Sequence, residues 1–116
     1  MVRSEIILVA APDEAFRRSL AFALESDGFK ISAHAGAADA FASHLSRTAA
    51  CAVVDDDAVS DWKWASRQFD QFGRPVIVLV GFLQRAPALP FARFVTKPFL
   101  GEPLVNAVRE AVASVL

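Results

Sequence analysis

The chain has 116 residues, one cysteine and a formal net charge of −1, which suits one domain and is too short for two ordinary ones. Hydrophobic residues make up 54% and charged residues 22%, with a mean hydropathy of +0.37. This excludes a disordered segment, and the lone Cys51 excludes a disulfide framework and a zinc-ligand spacing. The near-neutral total argues against electrostatic binding of nucleic acid by this domain. The longest apolar stretch, Val76 to Leu83, falls well short of the roughly 18–20 residues a membrane helix needs.

Met1 to Glu5 show no signal-peptide pattern and pass straight into Ile6-Ile7-Leu8-Val9-Ala10, so a single cytoplasmic domain over residues 1–116 is expected. That run does not alternate apolar with polar, and it reads as a strand buried on both faces. Phe16, Leu20, Ala23 and Leu24 recur at helical spacing between Asp13 and Ser26, and Asp27-Gly28 ends that helix with Phe29 packing back. Lys30 to Ala33 reads as a short strand, and Ala38 to Leu45 as a second helix. Cys51-Ala52-Val53-Val54 is another buried strand, with Cys51 expected to pack as a small apolar group. Trp62, Ala65, Phe69 and Phe72 mark a third helix with Ser60 or Asp61 as N-cap. Trp62 and Trp64 cannot both face the core at helical spacing, so one is expected to be exposed or at an interface.

Gly73-Arg74-Pro75 is a turn into the third buried strand, Val76-Ile77-Val78-Leu79-Val80. Leu83 to Pro90 holds Pro87 and Pro90, which forbid a regular helix, so the fourth crossover is expected to be short or irregular. Phe91 to Thr96 reads as a last strand. Leu104, Val108, Ala111, Val112 and Val115 form the stripe of a final helix with Pro103 in its first turn. The order β-α-β-α-β-α-β-loop-β-α implies a parallel sheet with right-handed crossovers and a site beyond the carboxyl ends of the strands.

Two polar signals lie at that rim. Asp55-Asp56-Asp57 follow the central strand, with Asp61 nearby. Adjacent carboxylates repel unless a cation, a donor or solvent compensates. Lys97-Pro98-Phe99 closes the last strand and directs an ammonium at the same rim. Lys97 either acts on a ligand at this rim or simply neutralises the three aspartates. His34 and His44, ten apart on different elements, are expected to be surface residues.

Several segments together carry a family resemblance over essentially the whole chain. They are Ile7-Leu8-Val9, Phe16 to Phe22, Asp27-Gly28-Phe29, Val53-Val54-Asp55-Asp56, Pro75 to Leu79, and Phe94-Val95-Thr96-Lys97-Pro98-Phe99. The chain resembles the receiver domain of bacterial two-component response regulators. The resemblance implies a CheY-like, flavodoxin-like three-layer α/β/α fold, with a five-stranded parallel sheet of order 2-1-3-4-5 and the fourth helix shortened or irregular. It also implies an aspartate that accepts a phosphoryl group from a histidine kinase. Strand register aligns that aspartate with Asp56, and Asp55 and Asp57 remain alternatives.

Three positions depart from the family pattern. The acidic pair that holds Mg2+ aligns with Ala11 and Pro12, and only Asp13, one residue on, offers a carboxylate to join Asp56. Magnesium demands close octahedral geometry, so a displaced ligand is a poor substitute. The hydroxyl position at the end of the fourth strand is Val80, while the aromatic switch position is Phe94 and the lysine is Lys97. The expected function is therefore a degenerate receiver, or pseudo-receiver, that signals by protein contact with weak or absent phosphorylation. The alternative is a working receiver phosphorylated on Asp56 with an atypical Mg2+ shell. A third class, a small α/β enzyme or ligand-binding domain, lacks a glycine-rich phosphate loop or a nucleophile–histidine set, and no enzyme activity is expected. Partners implied by the resemblance are a histidine kinase, an output domain or a second receiver. Phe82, Leu83, Leu89, Phe91, Phe94, Phe99 and Leu100 suggest a homodimer through the region Phe82–Leu100.

Overall fold

A computed structural model describes residues 5–81, 89–97 and 102–113. The first strand, β1 (Ile6–Ala10), leads into α1 (Glu14–Ser26), then β2 (Lys30–His34) and the short α2 (Ala37–Ala42). After them come β3 (Cys51–Asp55), α3 (Trp62–Phe72), β4 (Val76–Val80), β5 (Ala92–Thr96) and α4 (Glu102–Ala113). The five strands form one sheet in the order β2-β1-β3-β4-β5, every neighbouring pair parallel. The parallel sheet is what the alternation of elements predicts, and its strand order is the one the family resemblance implies.

The apolar runs become the central strands because both sides of the sheet are covered. Ile7, Val9, Cys51, Val53, Ile77 and Leu79 pack with Leu20 and Leu24 of α1 and Leu104 and Val108 of α4 on one side. Leu8, Ala10, Ala52, Val54, Val76 and Val78 pack with α2 and α3 on the other. Alternate residues of one strand therefore serve two cores, which explains why the sequence shows no alternation. Burial in the first core pushes the Cys51 thiol up to about 12, so it remains a neutral, apolar-like side chain.

Local chemistry sets the ends of the elements. Asp13 caps α1 by accepting from the Phe16 N–H at 2.8 Å, and Asp61 caps α3 by accepting from the Lys63 N–H at 2.9 Å. At the end of α1, Gly28 takes φ 95°, and the Phe29 N–H donates back to the Leu24 carbonyl at 3.2 Å, a left-handed closure that favours glycine.

The structure corrects two expectations. The second helix is not continuous from Ala38 to Leu45: α2 stops at Ala42, and a 3₁₀ turn follows over His44–Arg47. Ser43 breaks it, with extended backbone at ψ 142° and a hydroxyl that accepts from the Leu45 N–H at 3.2 Å. A serine that caps a new turn competes with helix continuation. The two tryptophans are both half-buried against the second core. Trp62, the first residue of α3, packs against that core, and Trp64 leans sideways onto Phe41 of α2, ring centroids 6.5 Å apart. The fourth crossover, expected to be short or irregular, and the Pro98-Phe99 segment lie outside the described residues, apart from Leu89 and Pro90.

Candidate functional site

Parallel strands end together, so β1, β3, β4 and β5 bring their last residues to one rim. There β3 ends on Asp55, whose Cα pairs with Leu79 of β4, and Thr96 at the end of β5 pairs with Val80. Asp56 and Asp57 follow in a 3₁₀ turn, Asp56–Ala58. Lys97 continues from β5, its N–H donating to the Val80 carbonyl at 2.7 Å.

This register brings the two polar signals into contact. The Lys97 Nζ donates to Asp55 Oδ1 and to Asp56 Oδ1, each at 2.6 Å, and lies 3.5 Å from Asp57 Oδ2. Asp55 and Asp56 are buried, Lys97 is half-buried and Asp57 is exposed. Asp55 Oδ1 also accepts from the Asp57 N–H at 3.2 Å, and Asp56 Oδ2 accepts from the Gly81 N–H at 3.3 Å. Residues 40 to 42 apart in sequence thus form one ammonium held among three carboxylates.

The electrostatics divide the two buried acids. Burial pushes the Asp55 carboxyl up, and the adjoining Asp56 carboxylate adds to this against the pull of Lys97. Burial also opposes ionisation of Asp56, but the Lys97 ammonium, a hydrogen bond from the Asp55 carboxyl and the Gly81 N–H outweigh it and hold Asp56 below the usual carboxylate range. Partial burial of Lys97 is likewise overcome by its two carboxylate partners, which raise it above the ordinary lysine value. The same surroundings therefore push the two neighbouring acids in opposite directions, Asp55 up and Asp56 down.

The remaining site positions are arranged differently. Ala11 is fully buried and Pro12 exposed, and neither side chain bears a ligand atom. Asp13 is occupied as the α1 cap, and the described acidic residues whose oxygens gather within 4.8 Å are Asp55, Asp56 and Asp57 without it. Sequence reasoning passed over Arg17, whose Nη1 donates to the carbonyls of Ala11 at 2.8 Å and Pro12 at 3.2 Å. A guanidinium is thus bound at the two positions where the family pattern has its acidic pair. Backbone carbonyls leave no sequence signal, so only the fold reveals this contact.

These residues do not fit a magnesium ion of the family's kind. Its ligand positions lack side-chain oxygens, the central carboxylates already hold an ammonium, and a fixed guanidinium lies on the first loop. Val80 is buried and carries no hydroxyl, while Phe94 on β5 is 41% exposed. His34 is half-buried with Nε2 2.8 Å from the Ser32 hydroxyl, and His44 is exposed. Neither joins the rim cluster. No described helix is long and apolar enough to cross a membrane.

No protein-family model matches the chain. Solved structures with the same fold are a response regulator receiver domain protein from Clostridium thermocellum and a response regulator receiver protein from Sinorhizobium medicae WSM419. The first has a TM-score of 0.81 and 18% identity, with 96% of each chain covered. The second has a TM-score of 0.78 and 19% identity, with 97% of each covered. At the level of sequence the chain is 34% identical over 116 residues to the transcriptional regulator protein FixT of Rhizobium meliloti (strain 1021), with 98% of each covered. Sheet order, an aspartate–lysine rim and near-complete coverage of a sequence relative converge on one assignment: the chain belongs to the response-regulator receiver family.

Proposed function

We propose that this receiver is degenerate: a cytoplasmic signalling module that acts by protein contact, with phosphoryl transfer onto Asp56 weak or absent. The observation that carries this reading is Arg17. A carboxylate attacking a phosphoryl group needs a divalent cation to offset charge repulsion. At the two loop positions that would anchor the cation, the chain offers alanine, proline and a bound guanidinium. Lys97 supplies the compensating charge from within the chain, so the acidic rim is stable with no added ion. In this reading the domain catalyses no reaction of its own.

The β5 edge supports a docking role. Phe91 is 50% and Phe94 41% exposed, an apolar pair suited to a protein partner such as a kinase, an output domain or a second copy of the chain. The sequence relative is named a transcriptional regulator protein, and we place this chain in the same kind of signalling route.

Amide NMR tests the proposal. Magnesium with beryllofluoride or a small phosphodonor is expected to leave the signals of Asp56, Gly81 and Lys97 unmoved. Saturable shifts at those positions, abolished in Asp56→Asn, would establish a working receiver with an atypical metal shell instead.

A further inference from the structure

We infer that the outer face of α1 is a weak, two-fold contact between two copies of this chain, separate from the β5 edge. The described residue that stands out is Phe22, 74% exposed in the middle of a surface helix. It borders a groove of about 410 Å³ between α1 and α4, whose apolar wall includes Ala23 and Val105. Asp27 and Arg109 tie the two helices together at one end of this groove, with Nε donating to Oδ2 at 2.8 Å. The knob and the groove that could receive it are therefore on the same face, the requirement for an isologous dimer.

Charge order on the helix names the occupant. Arg18 and Glu25 are the i−4 and i+3 neighbours of Phe22, so both share its face. Two α1 helices crossing antiparallel at Phe22 set Arg18 of each copy against Glu25 of the other. A parallel crossing would oppose like charges. The face is thus complementary to itself in one orientation, and a foreign helix would have to reproduce that order. Arg18 is 2.7 Å from Glu14 within its own helix, but both are well exposed, and such a pair is too weak to withhold Arg18 from a partner.

Area sets the strength. A phenylalanine buries about 150–250 Å², so two of them with their flanks fall below the roughly 1,200–2,000 Å² of a stable interface. A dimer that forms only at high concentration is expected. Phe22 and Phe94 lie on opposite sides of the sheet, since Ala92 packs with the α2–α3 core and α1 belongs to the other, so the two surfaces can be separated by mutation.

Sedimentation of the full chain over a wide concentration range at low ionic strength tests the contact. The wild type is expected to dimerise reversibly, and Phe22→Ser to weaken this about tenfold with unchanged circular dichroism. Arg18→Glu and Glu25→Arg should each weaken association, and the double variant should restore it. A monomer at every concentration, whatever else it binds, overturns the inference. So does association that survives Phe22→Ser and disappears in Phe94→Ser, or charge variants without effect.

Discussion

At the residue scale, Asp55 and Asp56 share a lysine but differ in what a change of one atom does. Asp55 Oδ1 takes both the Lys97 ammonium and the Asp57 N–H, and burial with the adjoining Asp56 carboxylate holds its carboxyl above the ordinary range. Asp55→Asn keeps the accepting oxygen and removes an ionisation that burial and the adjoining Asp56 disfavour. It is expected to stabilise the fold at neutral pH by on the order of 1 kcal/mol. Asp56 uses one oxygen for Lys97 and the other for the Gly81 N–H. In Asp56→Asn the amide NH2 must face one of these donors, so a loss of about 1–3 kcal/mol is expected. Urea unfolding of both variants checks the opposite signs, and equal losses would contradict the division between the two acids. The pH dependence follows in the same way. Asp56 is depressed, so its contribution is present above the ordinary carboxylate range and fades as pH falls through its lowered value. Asp55 is raised, so its ionisation costs stability as pH rises from the ordinary carboxylate range through its own value. Lys97 is raised, so its contribution persists through the ordinary lysine range near 10.4 and is lost only above it. Stability curves of wild type and Asp55→Asn should therefore diverge as pH rises from about 4, with the variant the more stable.

At the element scale, Arg74 does what no helix or strand does for the lower end of the sheet. Its guanidinium donates to the carbonyls of Ala49 at 2.6 Å, Ser46 at 2.8 Å, Arg47 at 3.0 Å and Phe72 at 3.1 Å, and lies 4.4 Å from the Phe72 ring centroid. It joins the 3₁₀ turn before β3 to the turn before β4. Partial burial lowers the Arg74 pKa but cannot discharge a guanidinium at any ordinary pH. Arg74→Met leaves several carbonyls without their donor, and a loss of about 2–3 kcal/mol is expected. Arg74→Lys should recover part of it, because an ammonium cannot copy the planar fork. Hydrogen exchange should locate the loosening at the amides of Ala50 and Ala52, next to the clamp. The sequence marks Gly73-Arg74-Pro75 only as a turn, since three of the four carbonyls that Arg74 holds are 25 to 28 residues away. The same reasoning separates what was legible from what was not. The buried strands, a cap of α3 at Ser60 or Asp61 and the closure at Gly28 follow from local chemistry, and the sheet order follows from the family resemblance; the capping by Asp13, which the sequence offered only as a metal ligand, comes from the structure. The break at Ser43 and the sideways packing of Trp64 depend on which neighbours are present in three dimensions. In the candidate site, the meeting of Lys97 with the aspartates was legible because it joins two strand ends of one sheet. The Arg17 contact was not, because it joins a side chain to carbonyls.

At the scale of the whole molecule, a net charge of −1 conceals a rim where three carboxylates converge, and the fold balances that rim with a residue delivered by its last strand. Lys97 is thus both a site residue and a tie between β3 and β5, which flank β4 without touching each other in the sheet. Removing it has two consequences that one experiment can separate. In Lys97→Met the buried Asp55 and Asp56 lose the ammonium they share, and breaking a buried pair in this way costs about 3 kcal/mol or more, so the melting temperature should fall by at least about 10 °C for a domain of this size. The same substitution removes the ammonium that stands among three acidic side chains whose oxygens lie within 4.8 Å of one another. A ligand that binds only the folded state stabilises it by RT ln(1 + [L]/Kd), about 0.4 kcal/mol when its concentration equals Kd. If Lys97 fills the role of the cation, magnesium at millimolar concentration should leave the wild-type melting temperature within about 2 °C and raise that of Lys97→Met by more. Sodium at matched ionic strength controls for general screening, which would lift both proteins alike. A magnesium response larger in the wild type than in the variant would mean that the lysine helps to build a metal site, and the internal-cation account of this receiver would fall with it.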